Sequence, residues 1–208
     1  MIRLIDAETD LAEGAAHLAA VCPVWARVLP EIGPMPLRRR TDGFPAILDA
    51  VISQQLSVAA ANTIAGRLAA AGLDTPPAIL AADEVSLRAC GLSGPKIRYL
   101  RGISAAKIDW PALAHLPDEE VIATLTTLPG IGRWTAEIYL MFALGRADVF
   151  AQDDLALQEA ARIMYDLPER PRGRALAELA APWQPWRSVA ARGLWAYYRI
   201  AKGREGVT

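Results

Sequence analysis

The amino-acid sequence predicts an all-α fold, and three observations lead to that prediction. Apolar residues recur at helical spacing along most of the 208 residues. Glycines such as Gly72, Gly91 and Gly145 stand where these apolar patterns stop, as expected at helix ends. No run of alternating β-branched residues, which would indicate a sheet, interrupts the patterns. We therefore expect helices joined by short turns.

The predicted helices follow one another along the chain. Residues 15–29 are rich in alanine and have helical apolar spacing. Residues 30–43 hold three prolines, two glycines and three consecutive arginines, and they are predicted to form a loop. Residues 45–71 form the longest helical pattern. Further helices, supported by capping and stop signals, are predicted over residues 83–90, 96–106, 118–127, 133–144, 154–165, 173–181 and 186–202.

Composition excludes several classes of protein. Hydrophobic residues make up 53% of the chain and the mean hydropathy is +0.19, which indicates a globular protein of one large domain or two small lobes. No apolar run reaches the length of a membrane span. Asp6 and Glu8 occupy the place of a signal peptide's apolar run, so we predict a cytoplasmic protein that does not bind membranes.

Cysteine and histidine usage limits the cofactors. Cys22 and Cys90 are the only cysteines, which fits a reducing compartment and excludes a four-cysteine iron–sulfur cluster within this chain. His17 and His115 are too far apart in sequence to form a zinc site by themselves. We expect no organic cofactor.

The most informative segment is residues 128–136, with the sequence LPGIGRWTA. Two glycines around one apolar residue allow a tight turn, and the amides at the start of the following helix favour an anion such as a nucleic-acid phosphate. An ordinary helix–helix turn is the local alternative. Asp154 follows Trp134 by twenty positions, where the next helix begins, and this carboxylate favours the phosphate interpretation.

Five motifs in order give the chain a wider resemblance. They are residues 52–57 (ISQQLS), 91–96 (GLSGPK), 128–136, 148–155 (DVFAQDDL) and 185–188 (PWRS) with Trp195. The sequence resembles the helix-hairpin-helix DNA glycosylases, and within them the DNA-3-methyladenine glycosylase II family, from about residue 44 to residue 202. The resemblance implies two helical lobes with the active-site cleft between them.

The resemblance also implies a division of the chain. Residues 44–147 would form the lobe that carries the helix-hairpin-helix. Residues 148–208 would form the C-terminal lobe that carries the catalytic aspartate, with residues 1–43 packing on it. Larger relatives begin with a β-rich domain, for which residues 1–43 are too short.

Asp154 matches the catalytic aspartate of the family. A fixed carboxylate stabilises the positive charge that develops on the sugar when an N-glycosidic bond breaks, and it can orient the attacking water. Locally, an aspartate at a helix start is also a common N-cap, and both roles can coexist. Asp153 is the rival for the catalytic role, and we assign it to capping or to orientation of Asp154.

Four residues match the base pocket implied by the resemblance: Trp134, Ile138, Leu155 and Trp195. Superfamily members that also cut the strand have a lysine at the Trp134 position for a Schiff base, so tryptophan implies a monofunctional enzyme. An indole face attracts a cationic alkylated base. Packing of Trp134 in the core is the alternative. Ile138 and Leu155 stand where the best-known larger member has aromatic residues, which implies a less aromatic pocket.

The resemblance implies further contacts with double-stranded DNA that contains damaged bases. Gln54, Gln55 and Leu56, placed within the long helical pattern, would enter the stack where the target base leaves, with Gln55 our choice for the plug over Leu56. The backbone carbonyls of Leu128 and Ile131 would hold a monovalent cation, Na⁺ or K⁺. The phosphate contacts are assigned to Ser93, Lys96, Gly130, Gly132, Arg133 and Thr135.

The function predicted from these residues is hydrolytic excision of alkylated purines, of the 3-methyladenine type, in base excision repair. The enzyme is expected to act as a monomer, and to be nucleoid-associated when bound to DNA. One alternative keeps the fold but takes deaminated or oxidised bases. The other is a non-catalytic helix-hairpin-helix DNA-binding protein, against which Asp154 and Trp134 argue because a pure binder needs neither.

Overall fold

The computed structural model describes residues 2–203, and the regular secondary structure of these residues is helical. Apart from an isolated bridge between Leu4 and Arg146, this part of the chain contains no β-structure. The predicted all-α class is therefore confirmed. The thirteen α-helices of the described residues are Glu8–Val21 (α1), Pro23–Ile32 (α2), Phe44–Ser53 (α3), Val58–Ala70 (α4), Pro76–Ala81 (α5), Glu84–Ala89 (α6), Gly94–Ala105 (α7), Trp110–Leu113 (α8), Asp118–Thr126 (α9), Arg133–Phe142 (α10), Leu155–Met164 (α11), Arg174–Ala180 (α12) and Arg187–Lys202 (α13).

The structure corrects several predicted boundaries. The single helix predicted over residues 45–71 is wrong: α3 ends at Ser53, and α4 begins after Ser57, whose side chain accepts a hydrogen bond from Ala60 N–H. The predicted helix over 15–29 divides at Cys22, because Pro23 starts a new helix, α2. The helices α5 and α8 were not predicted. Each follows a capping residue, Thr75 or Asp109, and has a proline at its first or second position.

The chain divides into two compact units. One unit contains residues 2–39 and 140–203, and the other is Arg40–Tyr139. The helices α1 and α2 therefore belong to the same unit as α11, α12 and α13, and both contact α13. The chain passes from the second unit back to the first within α10. In residues 2–203 no helix has the length and apolar character needed to cross a membrane.

An aromatic cluster forms part of the core of the first unit. The Trp183 ring lies 5.5 Å from Trp25 and 5.7 Å from Phe150 in edge-to-face geometry, and it stacks on Tyr165 at 6.3 Å. Such pairs add about 0.5–1.5 kcal/mol each to the apolar burial. The helix α13 approaches this cluster closely because Gly193 has no side chain: a Cβ there would lie 2.7 Å from the Trp25 ring.

In the second unit, α7 packs against α3, α5 and α6. Its buried face consists of Ile97, Leu100 and Ile103, which follow helical spacing. The same helix lies against the turn that precedes α10: a Cβ on Gly102 would meet Pro129 at 2.6 Å. The helix α7 thus supports the loops that carry the predicted DNA contacts of this unit.

Two helical glycines should respond in opposite directions to replacement by alanine. Gly193→Ala should lower the free energy of unfolding by about 1–3 kcal/mol, since the new methyl group clashes with the buried Trp25 ring. Gly66→Ala should raise it by about 0.5–1 kcal/mol, because nothing lies within 4 Å of a Cβ there and α4 gains helix propensity. Urea unfolding of both variants measures the difference, and equal effects would contradict the packing described for α13.

Candidate nucleic-acid interface and active site

The segment before α10, which we name the hairpin (Leu128–Gly132), contains a turn with the geometry of a type II β-turn. Ile131 N–H donates to the Leu128 carbonyl at 3.2 Å, Pro129 occupies the second position, and Gly130 has φ +79° at the third. A Cβ on Gly130 would lie 2.5 Å from the Tyr99 ring. Both the backbone conformation and the packing therefore require glycine at position 130.

The start of α10 directs its first amides away from the helix body, as any helix start does, and this favours an anion. Gly132 lies at this point, and nothing is within 4 Å of the position of a Cβ there. Thr135, also predicted to contact phosphate, is the third residue of α10 and is buried. Ser93 is exposed at the N-cap position of α7, which is the second predicted phosphate-facing helix start.

Arg133 is already engaged by two carboxylates. Its guanidinium donates to Glu119 at 2.7 and 3.1 Å and to Glu137 at 3.0 Å. The hydrogen bonds to Glu119 are the main cause that raises the pKa of Arg133. Much of its charge is thereby compensated, so an anion at this helix start would depend mainly on backbone amides. Its predicted phosphate contact stays a prediction.

The segment between α3 and α4 is a second β-turn, which we name the wedge turn (Ser53–Leu56). Leu56 N–H donates to the Ser53 carbonyl at 3.2 Å, Gln54 has φ −54° and ψ 124°, and Gln55 has φ +59°. These values again indicate a type II turn. Gln55 and Leu56 are exposed. The prediction that these residues lie inside a helix is wrong, and a turn displays them more fully.

Two hydrogen-bonding side chains hold the wedge turn. The Gln54 amide Nε2 donates to the Gly130 carbonyl at 2.9 Å. The Lys96 ammonium donates to the carbonyls of Ile52 at 2.6 Å and Gln54 at 2.9 Å, and burial lowers the pKa of Lys96. The structure therefore brings Gln54, Lys96 and the hairpin together within the second unit.

In the first unit, Asp154 caps the start of α11. Its Oδ1 accepts hydrogen bonds from Ala156 N–H at 2.8 Å and Leu157 N–H at 2.9 Å, and from the Trp195 indole N–H at 3.4 Å. The N-cap predicted for Asp154 is confirmed. Three donors converge on one oxygen, so the carboxylate has a fixed orientation.

The alternative that Asp153 caps this helix is wrong, because Asp154 receives both cap hydrogen bonds. Asp153 is exposed. A Cβ added to Gly173 would lie 3.4 Å from its Oδ1. An orienting role for Asp153 stays a prediction.

The segment that leads to Asp154 is fixed to the start of α13. Arg187 forms a bidentate ion pair with Asp148 at 2.8 and 2.9 Å. Ser188 Oγ donates to the Val149 carbonyl at 2.8 Å and accepts from Val149 N–H at 3.1 Å. Two of the five sequence motifs therefore contact each other, and their contact positions the chain just before the carboxylate.

Trp195 belongs to a group that the sequence did not reveal in full. The centroid of its ring lies 5.9 Å from that of the Phe142 ring. The Arg192 guanidinium lies over the same Phe142 ring, 4.5 Å from its centroid. Arg192 donates to the carbonyls of Ser188 and Met141, both at 3.0 Å. Burial, together with the positive charges of nearby arginines, lowers the pKa of Arg192 to about 10. Arg192 is buried and does not contribute to an exposed basic face.

The remaining pocket residues are accessible to different degrees. Trp134 is 47% exposed, so the alternative that it packs in the core is wrong. Ile138 is partly exposed one turn further along α10. Leu155, directly after Asp154, is 64% exposed. This exposure leaves the Leu155 side chain accessible to a ligand, and its place in the base pocket stays a prediction.

Sequence reasoning missed Phe142, Glu119 and the hydrogen bonds of Lys96 to the wedge turn. Phe142 is aromatic, but it lies near the end of the predicted helix over residues 133–144, where the direction of a side chain is hard to predict from sequence. Glu119 is fourteen positions from Arg133, so helical spacing gives no signal for the pair. The Lys96 contacts depend on the turn at Gln54, which the sequence prediction had placed within a helix.

With this geometry established, comparison with known proteins decides the family. Residues 48–185 match the family described as HhH-GPD superfamily base excision DNA repair protein. This chain belongs to the HhH-GPD superfamily. The match includes the wedge turn, the hairpin and Asp154, and it confirms the superfamily that the motifs predicted.

Individual relatives extend over most of the chain. The DNA-3-methyladenine glycosylase 1 of Schizosaccharomyces pombe is 33% identical over 93% of this chain and 90% of its own length. The DNA-3-methyladenine glycosylase 2 of Escherichia coli is 30% identical over 74% of this chain and 57% of its own length. The structure of the S. pombe 3-methyladenine DNA glycosylase Mag1 in complex with abasic DNA superposes with a TM-score of 0.78 at 31% identity, covering 91% of this chain and 97% of that one.

Gly132 offers a test of the hairpin as a phosphate site. Gly132→Asp should fold normally, because a side chain there meets open space, yet it should weaken binding to an abasic-site duplex by about tenfold or more through charge repulsion. Gly132→Ala adds bulk without charge and serves as the matched control. Binding measured against salt should have a log–log slope of about −0.9 per phosphate neutralised. If a folded Gly132→Asp variant bound the duplex with wild-type affinity, the hairpin would not be part of the DNA interface.

Proposed function

We propose that this protein is a monofunctional DNA N-glycosylase that excises alkylated purines from DNA in base excision repair. The observation that carries the proposal is the carboxylate of Asp154, fixed by two backbone amides and the Trp195 indole in a chain of the HhH-GPD superfamily. DNA is the partner, and the S. pombe neighbour was solved with abasic DNA bound.

Asp154 supplies the electrostatic part of the reaction. When the bond between the sugar C1′ and the base nitrogen breaks, the base leaves with the bonding electrons and the sugar becomes oxocarbenium-like. A negative charge that is already oriented stabilises this state without further reorganisation. Water then forms the new bond to C1′ and loses a proton, for which the same carboxylate is a suitable acceptor. The product is an abasic site and a free base.

Trp134 is proposed to recognise the base. Its exposed indole can stack on a flipped purine, and its negative ring face attracts the positive charge that alkylation places on the base, by about 0.5–2 kcal/mol. The two relatives above are named for 3-methyladenine, a lesion of this class. We extend that substrate class to this chain and propose that it acts as a monomer on duplex DNA.

The wedge turn is proposed to fill the space that the flipped base leaves. Base flipping costs unstacking and unpairing energy, which an inserted side chain offsets. Gln55 and Leu56 are exposed at a tight turn that is hydrogen-bonded to the hairpin, so they are displayed beside the proposed phosphate site. The amide of Gln55 can also hydrogen-bond the orphaned partner base.

We further propose that the carbonyls of Leu128 and Ile131 hold a monovalent cation next to the hairpin. The Leu128 carbonyl accepts one hydrogen bond, from Ile131 N–H, and a carbonyl oxygen has a second lone pair. Neutral carbonyl oxygens suit a hard cation. When bound, the ion would add positive charge for a phosphate, while the hairpin amides and the helix start position that phosphate.

The reaction products should show that the enzyme removes the base without cutting the DNA strand. Because tryptophan occupies the position at which a Schiff base would form, the wild type should release the base and leave an intact abasic strand. Borohydride added during turnover should trap no covalent protein–DNA adduct. A known bifunctional glycosylase provides the positive control, and efficient trapping by this protein would contradict the monofunctional assignment.

Replacement of the two adjacent acids should separate capping from catalysis. Asp154→Asn retains shape and capping ability but removes the charge, so excision should fall by at least about a hundredfold while binding to lesion DNA survives. Asp153→Asn, at an exposed site, is the matched control and should cost much less.

The assay should use a panel of alkylated, deaminated and oxidised bases, including a neutral lesion such as hypoxanthine, because a cationic base leaves with little help. Excision of only deaminated or oxidised bases would replace the proposed substrate class. Full activity of Asp154→Asn on a neutral lesion would refute the carboxylate mechanism.

A further inference from the structure

We propose that Lys96 and Gln54 are positioning residues that hold the wedge turn in the shape needed for base flipping and fix its distance from the hairpin. The inference rests on the proposed function and deepens it. The sequence resemblance implies DNA contacts for both side chains. The proposed role is instead to support Gln55 and Leu56, the residues that enter the DNA.

The first argument is the backbone of the wedge turn. Gln55 occupies the third position of a type II turn with φ +59°, where glycine is normally found. A residue with a side chain keeps this conformation only when its surroundings hold it there. The same conformation displays the exposed Gln55 side chain at the tip of the turn, where the side chain can enter the DNA.

Lys96 supplies one of the restraints. Its ammonium donates to the carbonyls of Ile52 and Gln54, at the end of α3 and in the turn itself, over 2.6 and 2.9 Å. A cationic donor satisfies carbonyls at a helix C-terminus and interacts favourably with the helix dipole. Two of its three N–H bonds are used in this way, and the side chain is only partly exposed. Lys96 is therefore poorly placed to act as an ordinary surface charge.

Gln54 supplies the second restraint, because its amide donates to the Gly130 carbonyl at 2.9 Å. This bond joins the two type II turns across 76 positions of sequence. A duplex that places a phosphate on the hairpin would therefore meet the wedge turn at a set distance.

The helix α7 unites both restraints. Lys96 contacts the wedge turn, Tyr99 covers Gly130, and Gly102 lies against Pro129. These residues are spaced by three positions, so they lie along one side of the helix. A single rigid element thus determines where both loops stand.

The test compares two substrates that differ only in the cost of flipping. One duplex carries the lesion in a base pair, and the other carries the same lesion opposite an abasic site, where little pairing energy must be lost. Lys96→Met and Gln54→Met keep an unbranched apolar side chain of similar size but remove the donors. Arg98→Met, at an exposed position of the same helix, is the control for loss of one positive charge.

Single-turnover excision of the paired lesion should fall by about tenfold or more in Lys96→Met and Gln54→Met, and that of the unpaired lesion by less than about threefold. The log–log salt slope of binding should stay that of the wild type in Lys96→Met. An equal loss on both substrates would overturn the proposal. So would activity unchanged from the wild type, or a slope reduced by about 0.9, as expected for a phosphate contact. Arg98→Met should change the excision of the paired and of the unpaired lesion by the same factor.

A second measurement needs no chemistry and so separates this inference from the proposed function. With 2-aminopurine next to an abasic-site analogue, the wild type and Arg98→Met should raise the fluorescence by unstacking the base, and Lys96→Met should not. If the wild type excises no lesion yet shows this difference, the glycosylase proposal fails and the positioning proposal stands. If the wild type excises lesions but Lys96→Met unstacks the base normally, the positioning proposal fails. Circular dichroism should show that all variants are folded.

Discussion

The close packing of α7 against the hairpin is the constraint on which the part of this protein proposed to face DNA depends. Gly102 and Gly130 have no side chains at the points of contact, and this absence allows Pro129 and the Tyr99 ring to approach. Protein interiors are packed too densely to absorb even one additional methyl group at such points without a shift. The hairpin is thus held by shape, and the wedge turn is held by the hairpin and by the same helix through hydrogen bonds. Precision at the DNA follows from a rigid helix rather than from the loops themselves.

The candidate catalytic carboxylate is oriented by a different device. Asp154 is fixed by the first amides of its own helix, so its orientation depends on two peptide groups within three residues of it. Trp195, supported by Phe142, adds a donor from α13. Local capping and tertiary packing therefore act on the same oxygen, and together they fix the orientation of the carboxylate.

The sequence predicted the fold class and the family, and it predicted parts of the site for reasons that can be traced. The Asp154 cap could be predicted because a cap depends on residues next to one another in sequence. The exposure of Trp134 could not, since aromatic residues are found both in cores and at ligand sites.

The break between α3 and α4 could not be predicted either. Gln54 to Ser57 contains no glycine or proline, and the signal that was present, Ser57 as an N-cap, is weaker than the continuous apolar pattern around it. The hydrogen bonds of Lys96 to the Ile52 and Gln54 carbonyls depend on that break, so they could not be predicted without it. Long-range pairs such as Arg133 with Glu119 have no local sequence signature at all.

The left-handed backbone at Gln55 limits which side chains evolution or engineering can place at the tip of the wedge turn. Asparagine, aspartate, histidine and glycine adopt this conformation more readily than most residues, whereas valine, isoleucine and threonine do not. Among these, asparagine and histidine keep a hydrogen-bonding group for the unpaired base, and glycine leaves the gap empty. If Gln55 contacts the opposite base as proposed, the preference for that base can be varied only among the few residue types that the turn accepts, unless the turn is redesigned as well.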